Sequence, residues 1–308
     1  MKLKDNGKTN LTLHKSGLKM NNLVGWMILL PLVVILYFMI WRSTAIGIGM
    51  SFFRMQGYRI KEFCGLDNYL MVIKHTQFIK TLENTVQYVF WSLVIGYLPP
   101  IFIAVLLNEV VHFKGFFRTF MYIPTIIPGI SAMLIWYYLY LPDQSGLLNM
   151  IISFFGIEPQ QWLNDPSFAK IGIIIYMTWK GFGSAMLLYF AALQGVSAEL
   201  YEAAILDGAS PFKRFWHVTR PGIEGVLLLN LVSQIIGVFQ IVDQPLAMTG
   251  GGPNGATVSL GLQLYQYGFN SAGKGTGQAM ALGVIIFLML IVLTIFYFKL
   301  NKKVEERY

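Results

Sequence analysis

Cysteine is nearly absent: Cys64 stands alone among 308 residues. That excludes an internal disulfide and any multi-cysteine metal site. Charge is scarce too, with Asp, Glu, Lys and Arg at 12% against about 25% in a soluble domain. The hydrophobic share is 55%, and apolar surface on that scale needs lipid as its solvent. The four histidines, His14, His75, His112 and His217, are scattered without metal-ligand spacing. There is no G-x-S-x-G serine elbow, and no apolar stretch carries an acidic pair or a His–Asp pair suited to hydrolysis. There is no P-loop either. The nearest approach runs from Gly268 to Lys274, but Gly275 follows where Ser or Thr is needed, and no strand precedes it. The glycine run Gly250-Gly251-Gly252-Pro253 likewise has no phosphate-binding context. Bond chemistry by this chain is therefore not expected. Any nucleotide energy has to come from another polypeptide.

What the chain does have is long apolar runs. A helix crosses a bilayer with about 20 apolar residues, and six stretches qualify: 23–41, 86–107, 117–141, 171–193, 226–248 and 279–298. Lys2, Lys4, Lys8, Lys15 and Lys19 precede the first. A secretory signal starts similarly, but its apolar core is only about 7–15 residues and ends at a small-residue cleavage site. Here the run is longer and ends in Trp41-Arg42, which reads as a retained span. Pro31, Pro99, Pro100, Pro124 and Pro128 interrupt the first three spans. Such breakers persist in lipid only where neighbouring helices or water re-satisfy the freed carbonyls. They suggest a helix bundle around a path, although ordinary kinks would look the same.

The formal charge of +8 is carried by basic residues beside the apolar runs, an orientation signal rather than a nucleic-acid face. With the N-terminus inside, the cytoplasmic segments hold the N-terminal lysines, Lys114, Arg118, Lys213, Arg214, Arg220 and the tail residues Lys299, Lys302, Lys303 and Arg307. Fewer basic residues fall outside, and the six in segment 42–85 are the main dissent. The expectation is an all-α membrane protein of about six transmembrane helices with both termini cytoplasmic. It comprises an N-terminal segment 1–22, a membrane domain 23–298 and a tail 299–308. No segment between spans is long enough for an ordinary independent domain.

Residues 197–222 break the pattern. Ser197 can cap a helix through Glu199, Leu200, Ala203 and Ala204, with Gly208 as its stop. Ser210 then offers a second N-cap, with Pro211 in the first helical position. Phe212, Phe215, Trp216 and Thr219 share one side of that second helix, and Pro221 is expected to end it. The segment reads as a helix, a glycine bend and a second helix on the cytoplasmic side.

Its spacing carries a resemblance. Glu202-Ala203-Ala204, Gly208 after three residues, and Val218-x-Arg220-Pro221 after nine more resemble the EAA loop of ABC importer permeases, with Arg220 in place of the usual leucine. Gly65-Leu66-Asp67-Asn68-Tyr69, Asn84-Thr85, Thr178-Trp179-Lys180-Gly181 and Thr249-Gly250-Gly251-Gly252-Pro253 look like the carbohydrate branch, of the maltose- and glycerol-phosphate-importer type. The resemblance covers about residues 23–300. It implies a type I ABC importer permease fold in a bacterial cytoplasmic membrane. It also implies a second homologous permease subunit, two ATPase subunits and an extracytoplasmic solute-binding protein. No cofactor is expected on this chain, and ATP and Mg would sit on the ATPase subunits. Glu202, Ala203, Ala204, Asp207 and Gly208 are the positions it implies for ATPase coupling. A helix lying on the membrane surface with its aromatics in the headgroups is the plainer reading of the same segment.

For the substrate path the resemblance implies Lys180, Gly181, Ser184, Gln234 and Val238, the last replacing a polar residue. Trp179 suits the C–H face of a sugar. An ionisable residue at the depth of Lys180 costs about 2.5–3.5 kcal/mol on insertion scales and normally faces protein or a water-filled path. Lys180 can instead snorkel or pair with another helix, and Gln234 can bond an adjacent span. Gln240 and Asp243 are polar neighbours late in the fifth run. The alternative function is a membrane scaffold or accessory subunit that binds cytosolic partners without moving solute.

Overall fold

In the computed structural model, residues 15–57, 59–109, 113–270 and 275–305 are described. The first lysines of the N-terminal segment, His14, His112, Ser271–Lys274 of the P-loop-like run and Arg307 lie outside them. The chain forms two compact units, divided between Met50 and Ser51.

The first unit is one helical run: Lys15–Leu36, a π turn at Tyr37–Trp41, and Arg42–Met50. Its apolar part, Val24–Met50, has 27 residues. At about 1.5 Å per residue this exceeds the roughly 30 Å hydrocarbon core of a bilayer. The expected stop at Arg42 is not where the helix ends. The Arg42 amide bonds the Tyr37 carbonyl across the widened turn, and the helix continues to Met50.

The second unit opens with an antiparallel hairpin, Phe53–Gln56 against Arg59–Phe63. Arg54 ties it down through Glu62 at 2.8 Å and Asp67 at 3.3 Å, both exposed pairs of small individual weight. Asn68 does more, because its buried amide donates to the Ser51 and Phe53 carbonyls. After the short helix Asp67–Lys74, a helical run from Thr76 to Glu109 contains the second expected span. Pro99 and Pro100 are absorbed in it just after a π turn at Ser92–Tyr97.

The helix Pro166–Leu193 is the centre of the bundle. Asp165 caps it by accepting from the Ser167 amide at 2.9 Å, and Pro166 takes the first position. Ala169, Ile173, Tyr176, Gly183, Met186 and Phe190 recur on its buried side, with Lys180 in the same stripe. Both larger apolar clusters of the core include residues of this helix. Gly183 is the tightest glycine of this helix: a Cβ there would lie 2.5 Å from the Met121 carbonyl oxygen and 2.6 Å from the Tyr122 Cα. The preceding segment is organised by Asn149, which bonds the Leu141 and Gln160 carbonyls and accepts from the Gln160 amide and the Trp162 indole.

Two expected spans are broken. The third consists of Lys114–Ile126 and Gly129–Leu139, bent by 95°. Pro128 forces Ile127 into extended backbone, at ψ 132°, because the residue before proline is denied the α region. The fifth begins with the helix Glu224–Phe239, which meets the preceding helical stretch Pro211–Gly222 at a bend of 77°. It ends earlier than expected: Met248 belongs to a separate short helix, Asp243–Thr249. Between them Gly261 fits against the Gln240 and Ile241 backbone, and Ser259 donates to the Ile241 carbonyl at 2.6 Å. Those contacts hold the chain out of helical geometry. The sixth expected span lies within the helix Thr276–Glu305.

Replacing Gly183 by valine is expected to destabilise the protein by about 1–3 kcal/mol, since backbone rather than a flexible side chain occupies the space. Gly181→Ala, where a Cβ meets nothing within 4 Å, should be neutral or slightly stabilising. Thermal unfolding of the two variants in detergent checks the contrast.

Candidate functional site

Two features stand out: an exposed helix–bend–helix and a polar cavity, joined by the fifth span. The first helix, Ala198–Leu206, is capped by Ser197, whose hydroxyl accepts from the Glu199 amide at 3.3 Å. It ends in a glycine-terminated cap. Gly208 has φ +73°, its amide bonds the Ile205 carbonyl, and the Ala209 amide bonds that of Ala204, both at 2.9 Å. Glu202, Ala203, Asp207 and Gly208 are exposed and Ala204 is half-buried. Four of the five expected contact positions are thus exposed, in the last turns of this helix and at its end.

The second helix begins at Pro211 with Ser210 as its cap. Pro221 does not end it. A π turn at Phe215–Thr219 precedes Pro221, and the helix reaches Gly222, since the looser turn accommodates a ring that α geometry would push against the preceding carbonyl. Arg220 has a packing role that leucine could not copy: its guanidinium stacks 5.0 Å from the Trp216 ring and approaches Glu224 at 3.8 Å. The Tyr201 hydroxyl bonds Thr219 at 3.1 Å, fastening the first helix to the second. Phe215 packs into the core, while Phe212 and Trp216 border an apolar groove of about 720 Å³ beside Phe102 and Leu106.

The cavity has a volume of about 620 Å³ and lies between the second, fourth and fifth spans. Its polar lining includes Thr178 of the fourth span and Asn230, Ser233, Gln234, Gln240 and Asp243 of the fifth and its continuation. Asn230, Ser233 and Gln234 follow i, i+3, i+4 spacing, which puts them on one helix face. Gln234 donates to the Ser92 carbonyl at 2.7 Å, using the opening of the π turn at Ser92–Tyr97. Asn230 bonds the Tyr189 hydroxyl.

Of the six path positions expected from sequence, Gly181, Gln234 and Val238 line this cavity, and Gln234 also bonds the adjacent span. Trp179, Lys180 and Ser184 do not line it. Trp179 packs 5.5 Å from Trp136 at the edge of the core. Lys180 faces the break in the third span: its Nζ donates to the carbonyls of Pro124, Thr125 and Ile127 at 2.9, 2.8 and 2.5 Å. Pro128 has no amide for the Pro124 carbonyl, and the ammonium takes its place. Asn230 and Ser233 were not singled out from sequence, and Thr178 only as part of the Thr178–Gly181 motif; the signal for the first two was there, as polar residues repeating on one face inside an apolar run.

Opposite the loop, the Gly-rich turn is stapled to the second span. Asn84 donates to the Gly255 and Val258 carbonyls, Lys80 to that of Asn254 at 2.6 Å, and Tyr88 to that of Thr257. Thr85 accepts from the Leu260 amide at 3.0 Å. Gly250 and Gly251, at φ +61° and +90°, make the turn possible. These residues shape the backbone.

A helix bundle with broken spans around a polar cavity, and an exposed helix–bend–helix on one side, is the architecture of a membrane permease subunit. A solved bacterial ABC transporter, described as importing the acidic polysaccharide alginate, shares this fold. The likeness has a TM-score of 0.80 at 22% identity, over 94% of this chain and 98% of that one. Residues 96–306 match the family described as binding-protein-dependent transport system inner membrane component, and the chain belongs to that family. The trehalose/maltose transport system permease protein of Thermococcus litoralis is 36% identical over 67% of this chain and 70% of its own length. A probable ABC transporter permease of Bacillus subtilis is 30% identical over 81% and 86%. The arabinooligosaccharide transport system permease protein of the same species is 32% identical over 71% and 70%.

Lys180→Met leaves three carbonyls without their donor and is expected to cost about 1–3 kcal/mol of stability. Lys180→Arg should recover part of it. Unfolding in detergent reads the stability, and uptake by the surviving protein should keep its substrate concentration dependence.

Proposed function

We propose that this chain is one of two permease subunits of an ATP-driven, binding-protein-dependent importer of a sugar or oligosaccharide. The observation that carries the proposal is the open helix–bend–helix continuous with a span that lines a polar cavity. Support for a saccharide comes from the names of the relatives, transporters of trehalose and maltose, of arabinooligosaccharides and of lactose. A binding protein would deliver the sugar outside, and a second homologous permease would complete the path. Two cytoplasmic ATPase subunits, holding the ATP and Mg, would receive the Ala198–Leu206 helix. Both termini would then be cytoplasmic. The fifth-span wall of the cavity, with Asn230 and Gln234, would move against the fourth-span wall, with Thr178 and Gly181, so that the cavity opens to one side at a time.

Each part of the loop has a defined task in this reading. Ala203 and Ala204 allow close approach of an ATPase cleft, Glu202 meets a basic or N–H-rich partner, and Gly208 sets the angle between the two helices. Transport needs no bond to be made or broken in the sugar. The cavity needs only neutral hydrogen-bonding groups and a way to open, and Gly181, Gln234 and Val238 are the path residues retained from the sequence expectation.

Glu202→Lys or Gly208→Pro is expected to lower uptake and substrate-stimulated ATP hydrolysis more than about ten-fold, the loss of roughly 1.4 kcal/mol of coupling. The chain should remain in the membrane. Gly208→Ala, which strains φ +73° by about 1–2 kcal/mol, should have a milder effect. Unchanged coupling in both severe variants would defeat the assignment and favour a scaffold that binds partners without solute flux.

A further inference from the structure

We infer that the cavity selects neutral saccharides against anionic ones, and that the Asp243 carboxylate sets this preference. The inference rests on the reading of this cavity as the substrate path.

The lining is the first observation. Asn230, Ser233, Gln234, Gln240 and Gln244 are uncharged groups that both donate and accept, as sugar hydroxyls require. No Lys, Arg or His lines the cavity among the described residues, and Asp243 is its one ionisable acid. The second observation is where the nearest candidate cation goes. Lys180 lies on the same helix as the lining residues Thr178 and Gly181, yet its ammonium is held by three carbonyls of the third span. It cannot neutralise Asp243 or receive a uronate or phosphate in the cavity without abandoning those carbonyls.

The third observation is the state of Asp243 itself. The fifth span stops at Phe239, and Asp243 opens the next short helix, which turns its side chain to the cavity. It is exposed, and no hydrogen bond or ion pair to its carboxylate occurs among the described residues. A lone negative charge in a concave site with low-dielectric walls focuses its potential into the space a solute must cross. A neutral sugar can use the carboxylate as an acceptor. An anionic sugar meets a like charge there, with no cation from this chain to offset it.

The test reads the potential in the cavity of the assembled importer without needing the substrate's identity. Cys64→Ser removes the only cysteine, and Ser233→Cys, at an exposed lining position, places a reporter thiol; Gln244→Cys serves as a second. Rates of modification by a cationic and an anionic methanethiosulfonate are each divided by the reagent's rate with a small free thiol. The cationic reagent should then be favoured by about five-fold, the scale of one nearby charge in a hydrated site. Asp243→Asn should bring the ratio close to one. An anionic preference, which a cation from the second permease would produce, overturns the inference. So does a ratio that Asp243→Asn leaves unchanged. The path reading fails separately, if modified importer still takes up solute at the unmodified rate. If neither thiol reacts with either reagent, the cavity is closed to solutes and both readings fall.

Discussion

Backbone carbonyls freed inside an apolar environment must find donors, and the rest of this structure is arranged around that constraint. The break at Ile127–Pro128 releases carbonyls that no helix amide can reach, and Lys180 crosses from the central helix to take three of them. The arrangement resolves two problems together. A charge that would cost several kcal/mol if left unpaired in hydrocarbon is supplied with acceptors, and a bend of 95° becomes tolerable. Gly183, one turn further on, lets the two helices approach until backbone meets backbone. The third span is thereby fixed to the fourth at the place where it is least regular.

The same logic recurs with different chemistry elsewhere. Gln234 supplies the donor for the Ser92 carbonyl where the second span widens into a π turn. Asn84 supplies two for the Gly-rich turn, and Asn68 supplies two for the start of the hairpin. Amides and ammonium groups inside the bundle are thus first of all partners for irregular backbone. Only polar groups that remain after such partners are matched are wholly free to serve a solute, and among the cavity residues Gln240 and Asp243 are of that kind.

Much of this was legible in the sequence. Apolar length marked the spans, and Ser197, Gly208, Ser210 and Pro211 marked the loop with the caps that the structure displays, because capping is decided within a few residues. What depends on contacts between distant segments was less legible. Lys180 signalled that something unusual occupied that depth, but not which of its sides faced the broken helix. Pro221 looked like a stop because the π turn just before it, Phe215–Thr219, leaves no signature in residue type. The end of the fifth span at Phe239 is set by Ser259 and Gly261, which lie beyond the apolar run and could not be read from it. Arg220 looked like a departure from pattern; its stacking on Trp216 shows why a cation is tolerated there.

The join between loop and cavity is where mechanical consequence concentrates. The second loop helix runs into the cavity helix at a bend of 77° at Ile223, a residue buried in the core. Rotation about that turn is restricted on several sides. Arg220 reaches from before the bend to Glu224 after it, and a Cβ on Gly222 would lie 2.7 Å from the Val196 side chain. The Tyr201–Thr219 hydrogen bond ties in the first loop helix. A bend held this way behaves as a bracket rather than a hinge. Under the importer reading, a displacement of Ala198–Leu206 by a closing ATPase would therefore reach Asn230 and Gln234 as movement of the whole element, without being lost in a flexing joint. The polar face of the cavity would shift relative to Thr178 and Gly181 on the fourth span, whose own position is fixed by Gly183 and Lys180. One wall moves and the other is braced, which is the mechanical requirement for opening a path to one side at a time.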